Sequence, residues 1–432
     1  MFGLRFPRNT AEHTASWYAA TGHHQHAYDR LEGEAEADVV VVGGGFSGVN
    51  TALELTERGY QVVLLEANRI GWGASGRNGG QIIGGLGHNP ERFEKTIGQD
   101  GINQIYAMGD ECVTIIRERV QRYKIDCDIQ WGYCDVAIKP RHMAWLEAEI
   151  KHRRERGYAH ELTLHDASQI KQLVGSESYI GGMYNPTGGG HLHPMNLCLG
   201  EARAASAQGA MIFEQSRVTG LQHGASVKVT TEHGSVRAAR VVLCGNAYME
   251  NLVPELSSRV LPASSCIIAT QPLGEELARS VLPRNVAVCD PRTALDYFRL
   301  TRDQRLLFGG LSNYTGLVPD NYQAVMTRKM LDIFPQLQGT GIEYAWDGQM
   351  GIGLNRMPQA GKLADNIWYV QAYSGHGVAP THIMARVIAE DISAESERLQ
   401  LMASIKHWPF PGGRYLRRPG MALGMLWFKA VD

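Results

Sequence analysis

The chain has 432 residues, of which 44% are hydrophobic, and its 42 basic and 44 acidic side chains leave a formal net charge of −2. This length and apolar content allow a large buried core and predict two domains, while the balanced charge offers no basic face for nucleic acid. The seven cysteines form no CxxC pair, which favours buried, reduced thiols in a cytoplasmic protein. No apolar leader and no bilayer-length run is visible, so we expect a soluble protein.

Two pairs of histidines have the spacing His-x-His. His24 and His26 lie in residues 1–37, which we interpret as a polar arm over the first domain, with a metal site as the disfavoured alternative. His191 and His193 share one face of a predicted strand but have no evident third ligand nearby. We therefore predict no metal.

Residues 39–66 form the clearest pattern in the chain. Four consecutive valines at 39–42 predict a buried strand of a parallel sheet. The sequence GGGFSG at 43–48 follows at once, then a helical segment to residue 58 and a second apolar strand that ends at Glu66. This order of strand, glycine turn, helix, strand and acid predicts a βαβ unit that binds a dinucleotide.

Each glycine of the motif has its own physical role. Gly43 permits the tight turn, Gly45 lets the backbone approach a pyrophosphate, and Gly48 lets the helix pack closely on the strands. The phosphates are expected over the helix N-terminus, where free N–H groups favour negative charge. Glu66 is placed to accept hydrogen bonds from a ribose diol.

The next segment, GWGASGRNGGQ at residues 71–81, distinguishes FAD from NAD. It also contains a GxGxxG match, but no valine-rich strand leads into it and no second acidic strand follows. It is too rich in glycine for an ordinary helix or strand. Such a loop can lay its backbone along an extended cofactor, so we predict FAD.

The remaining elements follow from periodicity and turn signals. We predict helices over residues 102–124, 143–156, 195–208 and 382–390, and strands over residues 131–138, 179–193, 211–213, 217–221, 226–231, 236–243, 260–270, 297–310 and 367–370. The last strand turns through SGHG, residues 374–377, into the last helix, which gives a second helix N-terminus pointing into the molecule. Negative charge grows at N1 and the C2 carbonyl when a flavin takes up a hydride, and this helix end would stabilise it.

The segment GASGRNGGQ resembles the flavin-contacting loop of the D-amino-acid oxidase superfamily of glycine, sarcosine and related amine oxidases. HTASWYAATG at 13–22, RIGWGASGRNGGQ at 69–81, ATQPL at 269–273 and YSGHGVAPTHIMARVIAE at 373–390 also match. The resemblance implies an α/β fold, in which a Rossmann-like FAD-binding domain is interleaved with an α+β substrate domain on a mixed or antiparallel sheet. It places residues 1–95, 190–258 and 343–432 in the FAD-binding domain and residues 96–189 and 259–342 in the substrate domain.

The motifs and the resemblance together define the expected cofactor contacts. The residues expected to contact FAD are Gly43, Gly45, Phe46, Ser47, Gly48, Glu66, Ala67, Arg69, Gly73, Ala74, Ser75, Arg77, Asn78, Gly79, Gly80, Gln81, Val218, Gly245, Gly351, Gly375, His376, Gly377 and Val378. Residues 71–81 contain no cysteine or histidine, so noncovalent FAD is expected.

Within the superfamily the chain is most similar to the branch that oxidises gamma-glutamylputrescine. The resemblance implies hydride transfer from the carbon beside the terminal amine to flavin N5, hydrolysis of the imine to aldehyde and ammonia, and reoxidation by O2 to H2O2. The alternative is an amino-acid dehydrogenase or secondary-amine demethylase that passes electrons to a quinone. Its best support is the C-terminal tail, residues 414–428, where three arginines precede an apolar segment. We favour a packed tail over a membrane-surface contact.

The substrate pocket is less clearly marked than the cofactor site. Sarcosine-type members carry a lysine shortly after SGHG that binds the substrate carboxylate, whereas Val378 and Ala379 occupy these positions here. The difference suits a terminal amine on a longer chain, whose carboxylate lies far from the reacting carbon. The candidates for the site of oxidation are His376, Trp346, Gln349 and Tyr297, and those for the distant carboxylate are Arg299 and Arg356.

Overall fold

The architecture is taken from a computed structural model, which describes residues 3–6, 10–23, 27–249, 251–292, 295–413 and 416–417. The helices are α1 (Trp17–Thr21), α2 (Phe46–Glu57), α3 (Glu94–Arg122), α4 (Pro140–Glu155), α5 (Ala167–Ile170), α6 (Pro194–Ala207), α7 (Pro254–Ser258), α8 (Glu275–Val281), α9 (Tyr322–Ile333), α10 (Pro380–Ile392) and α11 (Arg398–Ser404). The strands are β1 (Leu4–Arg5), β2 (Gly33–Val42), β3 (Val62–Leu65), β4 (Gln81–Ile82), β5 (Gln130–Ala137), β6 (Thr163–Asp166), β7 (Gly181–His191), β8 (Met211–Phe213), β9 (Val218–Gln222), β10 (Val227–Thr231), β11 (Gly234–Leu243), β12 (Leu261–Thr270), β13 (Ala287–Cys289), β14 (Tyr297–Leu300), β15 (Leu306–Asn313), β16 (Val318–Pro319), β17 (Ile342–Ile352), β18 (Gln359–Ala364) and β19 (Ile367–Gln371).

The first large sheet has the predicted valine strand near its centre. Its order is β18-β19-β11-β2-β3-β8, with β10 and β9 continuing from one end of β11. Val40 of β2 pairs in parallel with Val241 on one side and Val63 on the other. All three valines are fully buried, as expected for a strand covered on both faces. The predicted α/β class and βαβ unit are confirmed.

Four helices (α2, α3, α6 and α10) pack together on one face of this sheet around a buried carboxylate. Arg119 of α3 lies 2.5 Å from one oxygen of Glu54 on α2, and Arg386 of α10 lies 3.1 Å from the same oxygen. Burial alone would raise the pKa of Glu54, but Arg119, Arg386 and a third arginine, Arg58, lower it overall. Since a buried charge is tolerated only when paired, this cluster fixes α2 and α10 relative to each other.

The second large sheet has the order β17-β12-β15-β14-β13-β5-β7-β4, and β6 pairs with β7. It is mostly antiparallel, with one parallel pair between β5 and β13. Strand β17 pairs with β12 over almost its whole length, so the chain leaves this sheet after Ile352. We therefore propose the expected two-domain division with its last boundary moved from 343 to follow Ile352.

Two expectations fall outside the part of the chain that the structure describes. His24 and His26 lie there, as does almost all of the apolar tail at residues 414–428. Among the described residues, no helix combines the length and the apolar character needed to cross a bilayer.

Candidate active site

A cavity of about 1540 Å³ lies where the two sheets face each other. Strands β2, β3, β11 and β19 run parallel, so their carboxyl ends meet at one edge of the first sheet. That edge opens into the cavity, as ligand sites of open α/β sheets do. The roof comes from the second sheet, including Tyr297 of β14 and Gln349 of β17.

The turn from β2 into α2 is shaped by two glycines. Gly43 has φ of 113°, a backbone conformation that side-chain-bearing residues rarely adopt. A Cβ atom on Gly48 would lie 1.8 Å from the carbonyl oxygen of Gly43, so only glycine permits this close packing. The turn therefore presents the N-terminus of α2 to the cavity without an intervening side chain.

The first turn of α2 offers backbone donors to an anion. Gly45 is the N-cap residue and makes no side-chain capping bond. The N–H of Phe46 donates to Oγ of Ser75 at 2.8 Å, which ties the glycine-rich loop to the helix. The neighbouring N–H groups at the start of a helix have no intrahelical partner. This arrangement fits a pyrophosphate.

Glu66 lies at the carboxyl end of β3, as predicted. Its two carboxylate oxygens accept the N–H of Gly44 at 2.5 Å and the N–H of Asn68 at 2.8 Å. Burial raises the pKa of Glu66, and the two backbone donors oppose that effect. Each oxygen keeps a further acceptor position, so the carboxylate retains the capacity expected for a ribose diol.

Two buried donors in the loop at residues 71–81 lack protein partners. Arg77 is 5% exposed, and its Nε donates to the carbonyl oxygen of Trp72 at 2.8 Å. Within the described part of the chain, Nη2 of Arg77 and Nε2 of Gln81 have no hydrogen-bond partner. Both residues line the cavity, and a buried donor without an acceptor is costly. A ligand rich in acceptor atoms, such as FAD, fits this donor set.

Two residues that were expected in the substrate pocket instead donate hydrogen bonds to the backbone of the loop at residues 71–81. Trp346 is 1% exposed, does not line the cavity, and donates its indole N–H to the carbonyl oxygen of Arg77 at 3.0 Å. Arg299 is also 1% exposed, and it donates to the carbonyl oxygen of Gly79 at 2.7 Å and to Oη of Tyr18 at 3.0 Å. Neither side chain lines the cavity, so we propose instead that both residues position the loop.

The turn that connects β19 to α10 lines the same cavity. Oη of Tyr373 lies 2.8 Å from Oγ of Ser47, which joins this corner directly to the start of α2. Nε2 of His376 lies 2.9 Å from the carbonyl oxygen of Ile83. Burial lowers the pKa of His376 to about 4, although the hydrogen bond to Ile83 opposes the shift. The ring is therefore neutral near pH 7 and donates its Nε2–H to Ile83.

Most of the predicted site residues line this one cavity. The ones that do are Gly43, Gly45, Phe46, Ser47, Glu66, Ala67, Gly73, Ala74, Ser75, Arg77, Asn78, Gly79, Gln81, Val218, Gly245, Tyr297, Gln349, Gly351, Gly375, His376, Gly377 and Val378. Gly48, Arg69, Gly80 and Trp346 do not. Arg69 instead binds Glu12 at 2.8 Å and Glu214 at 2.9 Å, and these contacts raise its pKa.

One part of the cavity wall was not predicted. We call it the distal lobe and define it by Tyr106 and Asp110 of α3, Glu149 and Arg153 of α4, and Arg156 just after α4. The helix predicted over residues 143–156 contains Glu149, Arg153 and Arg156, but the sequence did not assign them to the site. Periodicity shows which residues share a helical face but not whether that face meets water or a cavity.

Comparisons with known proteins agree with this geometry. The family model for FAD dependent oxidoreductases (DAO) matches residues 38–391. Gamma-glutamylputrescine oxidoreductase of Escherichia coli (strain K12) is 44% identical over 422 residues, covering 98% of this chain and 99% of that protein. A probable oxidoreductase, OrdL, of Haemophilus influenzae is 38% identical over 427 residues, or 98% of each chain. The solved structure of a Bacillus cereus glycine oxidase shares the fold, with a TM-score of 0.70, 19% identity, and coverage of 86% of this chain and 99% of that one.

Proposed function

Because the chain belongs to the FAD dependent oxidoreductase family, we propose that it oxidises the terminal amine of gamma-glutamylputrescine. That it is an FAD-dependent oxidoreductase acting on amines follows from the family and its relatives. The substrate rests on one observation, the 44% identity with the Escherichia coli protein over nearly the full length of both chains. The proposed products are the aldehyde, ammonia and H2O2, with O2 as the electron acceptor.

The residues around the cavity fit the proposed cofactor. Bound FAD would supply the oxidising step, accepting a hydride from the carbon beside the substrate nitrogen. We propose that the start of α2, with Arg77, holds the diphosphate, and that the corner at residues 374–378 holds the ring. The N-terminal end of α10 would favour negative charge there. His376, as a neutral donor to Ile83, fixes this corner without adding a charge.

The roof of the cavity suits an amine that reacts in its neutral form. Tyr297 and Ile267 line the cavity, and Oη of Tyr297 lies 3.3 Å from Oγ of Ser265. Burial raises the pKa of Tyr297, so its hydroxyl stays protonated. An apolar and aromatic wall disfavours an ammonium ion by removing it from water. We propose that this desolvation delivers the neutral amine.

We further propose that the FAD is bound noncovalently. Cys244 and Cys289 line the cavity, but burial raises the pKa of the Cys244 thiol to about 12 and also raises that of Cys289. A protonated thiol is a poor nucleophile toward the flavin ring. Acid precipitation of the yellow protein should leave all of the flavin in the supernatant; flavin retained in the pellet would contradict noncovalent binding.

Anaerobic bleaching of the flavin absorbance tests the proposed reaction. The panel is gamma-glutamylputrescine, putrescine, sarcosine and D-alanine. We expect fast bleaching by gamma-glutamylputrescine, followed by fast recovery and H2O2 release when air is admitted. Bleaching by sarcosine alone, or by none of the four, would overturn the proposed substrate. Slow recovery in air would replace O2 with another acceptor, such as a quinone.

A further inference from the structure

Among the described residues, the distal lobe contains two ionisable groups of opposite charge whose side chains form no hydrogen bond and no salt bridge. They are Asp110 and Arg156, and within the part of the chain that the structure describes Nε of Arg156 is a buried donor without an acceptor. The two groups are near enough to interact electrostatically, and each lines the cavity. By contrast, Glu149 and Arg153 of the same lobe pair with each other at 2.6 Å.

Arg156 is held in an orientation that leaves its donors available. Its guanidinium lies over the ring of Tyr106, with 3.5 Å between the guanidinium carbon and the ring centroid. The Tyr106 hydroxyl donates to Glu91 and lies 3.1 Å from Nε2 of His152, so the ring is fixed. A guanidinium stacked on an aromatic ring keeps its N–H groups directed outward in its own plane. It therefore presents a flat donor edge, which matches the geometry of a carboxylate.

Gly109, which precedes Asp110 on α3, is connected through Gly85 to the turn at residues 374–378. The N–H of Gly85 donates to the carbonyl oxygen of Gly109 at 2.7 Å. A Cβ atom on Gly85 would lie 3.7 Å from Cε1 of His376. The distal lobe is thus connected with the turn at residues 374–378 through the intervening Gly85, but it belongs to other elements, α3, α4 and the residue after α4.

We propose that the distal lobe binds the α-amino-acid end of the substrate, with Asp110 facing the ammonium group and Arg156 facing the carboxylate. This inference rests on the proposed function, because gamma-glutamylputrescine carries this zwitterion at the end opposite the oxidised amine. Two charges of opposite sign beside one cavity match a zwitterion, whereas a simple diamine would leave the buried Nε of Arg156 without an acceptor. The lobe would then select glutamylated amines over free diamines.

Arg356 is the alternative candidate for binding the carboxylate of the substrate. It lines the cavity, but its Nη2 already donates to Oη of Tyr314 at 3.0 Å, and its guanidinium lies 5.1 Å from the centre of that ring. Arg156 has no such hydrogen bond within the described residues. For this reason we assign the carboxylate to Arg156, and the Arg356→Gln variant tests the alternative.

Four substrates separate recognition of the zwitterion from oxidation of the amine. They are gamma-glutamylputrescine, N-glutarylputrescine without the ammonium, N-(4-aminobutanoyl)putrescine without the carboxylate, and N-acetylputrescine without either group. For the wild-type holoenzyme we expect kcat/KM to fall about 10- to 100-fold on loss of either group. Equal kcat/KM for gamma-glutamylputrescine and N-acetylputrescine would overturn the proposed lobe and leave amine oxidation standing. Failure to oxidise any of the four would overturn the proposed function as well.

Two variants assign the charges. Arg156→Gln should lose about 10- to 100-fold in kcat/KM on the two substrates with a carboxylate and match the wild type on N-(4-aminobutanoyl)putrescine. The kcat/KM of Asp110→Asn should fall on the two substrates that carry the ammonium group and should match that of the wild type on N-glutarylputrescine. The matched controls are Arg122→Gln and Asp100→Asn, both on α3 and outside the cavity lining. Equal losses on all four substrates, or a carboxylate-specific loss in Arg356→Gln alone, would overturn the assignment.

Discussion

The indole N–H of Trp346 donates to the carbonyl oxygen of Arg77 at 3.0 Å, and both residues are buried. Trp346 belongs to β17 of the second sheet, whereas Arg77 belongs to the loop that faces the proposed FAD. This bond joins the loop to the second sheet. We therefore propose that the tryptophan supports the cofactor site and does not contact the amine.

The Trp346→Phe variant separates these two roles. An aromatic ring is kept, although it is smaller than the indole, and the buried carbonyl of Arg77 loses its donor, which costs about 1–3 kcal/mol of stability. We expect a lower thermal midpoint and weaker FAD binding in a fluorescence titration. The KM for the amine should not change in flavin-saturated enzyme. A raised KM with unchanged FAD affinity would return Trp346 to the substrate wall.

The Arg77→Gln variant tests whether the unpaired Nη2 of Arg77 awaits an acceptor on FAD. We expect the dissociation constant of FAD to rise about 10- to 100-fold, the range for a charged hydrogen bond. The apoprotein should lose less stability than the holoprotein, since the protein itself uses mainly Nε of this residue. Arg122→Gln is the matched control. Equal destabilisation of both forms would show that Arg77 is purely structural.

The Gly48→Ala variant tests the close contact between α2 and the turn at Gly43. Because the new methyl group would lie 1.8 Å from the carbonyl oxygen of Gly43, the helix must move, at a cost of about 1–3 kcal/mol or more. We expect loss of FAD on gel filtration and a lower thermal midpoint. Gly220→Ala is the control, since its nearest atom would lie 3.9 Å away. A stable, fully yellow Gly48→Ala protein would contradict the packing argument.

The lowered pKa of His376 leads us to expect a specific pH dependence of the free energy of unfolding. Its pKa is about 4 in the folded protein, below the ordinary value of 6.5, because of burial. The unfolded chain therefore takes up a proton first, and stability falls as pH decreases from 6.5 to 4. His376→Gln keeps an N–H donor for Ile83 but does not titrate. Its free energy of unfolding should therefore fall less than that of the wild type over this pH range, and the difference should be at most about 3 kcal/mol. Parallel curves for thermal midpoint against pH would contradict the assigned pKa.

Arg299 should influence FAD and not substrate choice. Arg299→Lys loses the planar donors that reach Gly79 and Tyr18, so the loop should loosen and flavin content should fall. The ratio of kcat/KM between gamma-glutamylputrescine and N-acetylputrescine should stay at the wild-type value once the enzyme is saturated with FAD. A collapse of that ratio would show that Arg299 binds the carboxylate after all.

The nucleotide half of the site was predictable because its signals are local. The valine run, the glycine turn and Glu66 occupy one stretch of chain, and their order alone determines the βαβ unit. The structure confirms the fold class and brings most of the predicted residues to one cavity. Their contacts with FAD remain a prediction.

The substrate half was less predictable because it depends on which way a strand or helix faces. Trp346 and Gln349 lie on the same strand, but their side chains point to opposite faces of it. The sequence does not show which of these faces meets the cavity. Asp110 lies on α3 and Arg156 lies just after α4, more than forty residues further along the chain, and charged residues ordinarily face water. Their juxtaposition arises only in the folded chain, where α4 packs on β5 and β7 and the guanidinium of Arg156 lies over Tyr106 of α3.

The strand order of the first sheet has a consequence for biosynthesis. Strand β2 pairs with β11, and β11 pairs with β19, which ends at Gln371. While a ribosome is still making the middle of the chain, the valine strand β2 is present but β11 and β19 are not. The apolar faces of this part of the sheet therefore stay partly uncovered. Nascent chains are prone to aggregate in such states. Completion of this layer must therefore wait until residues 367–371 have been made, and a chain stopped before residue 367 should be a client of chaperones.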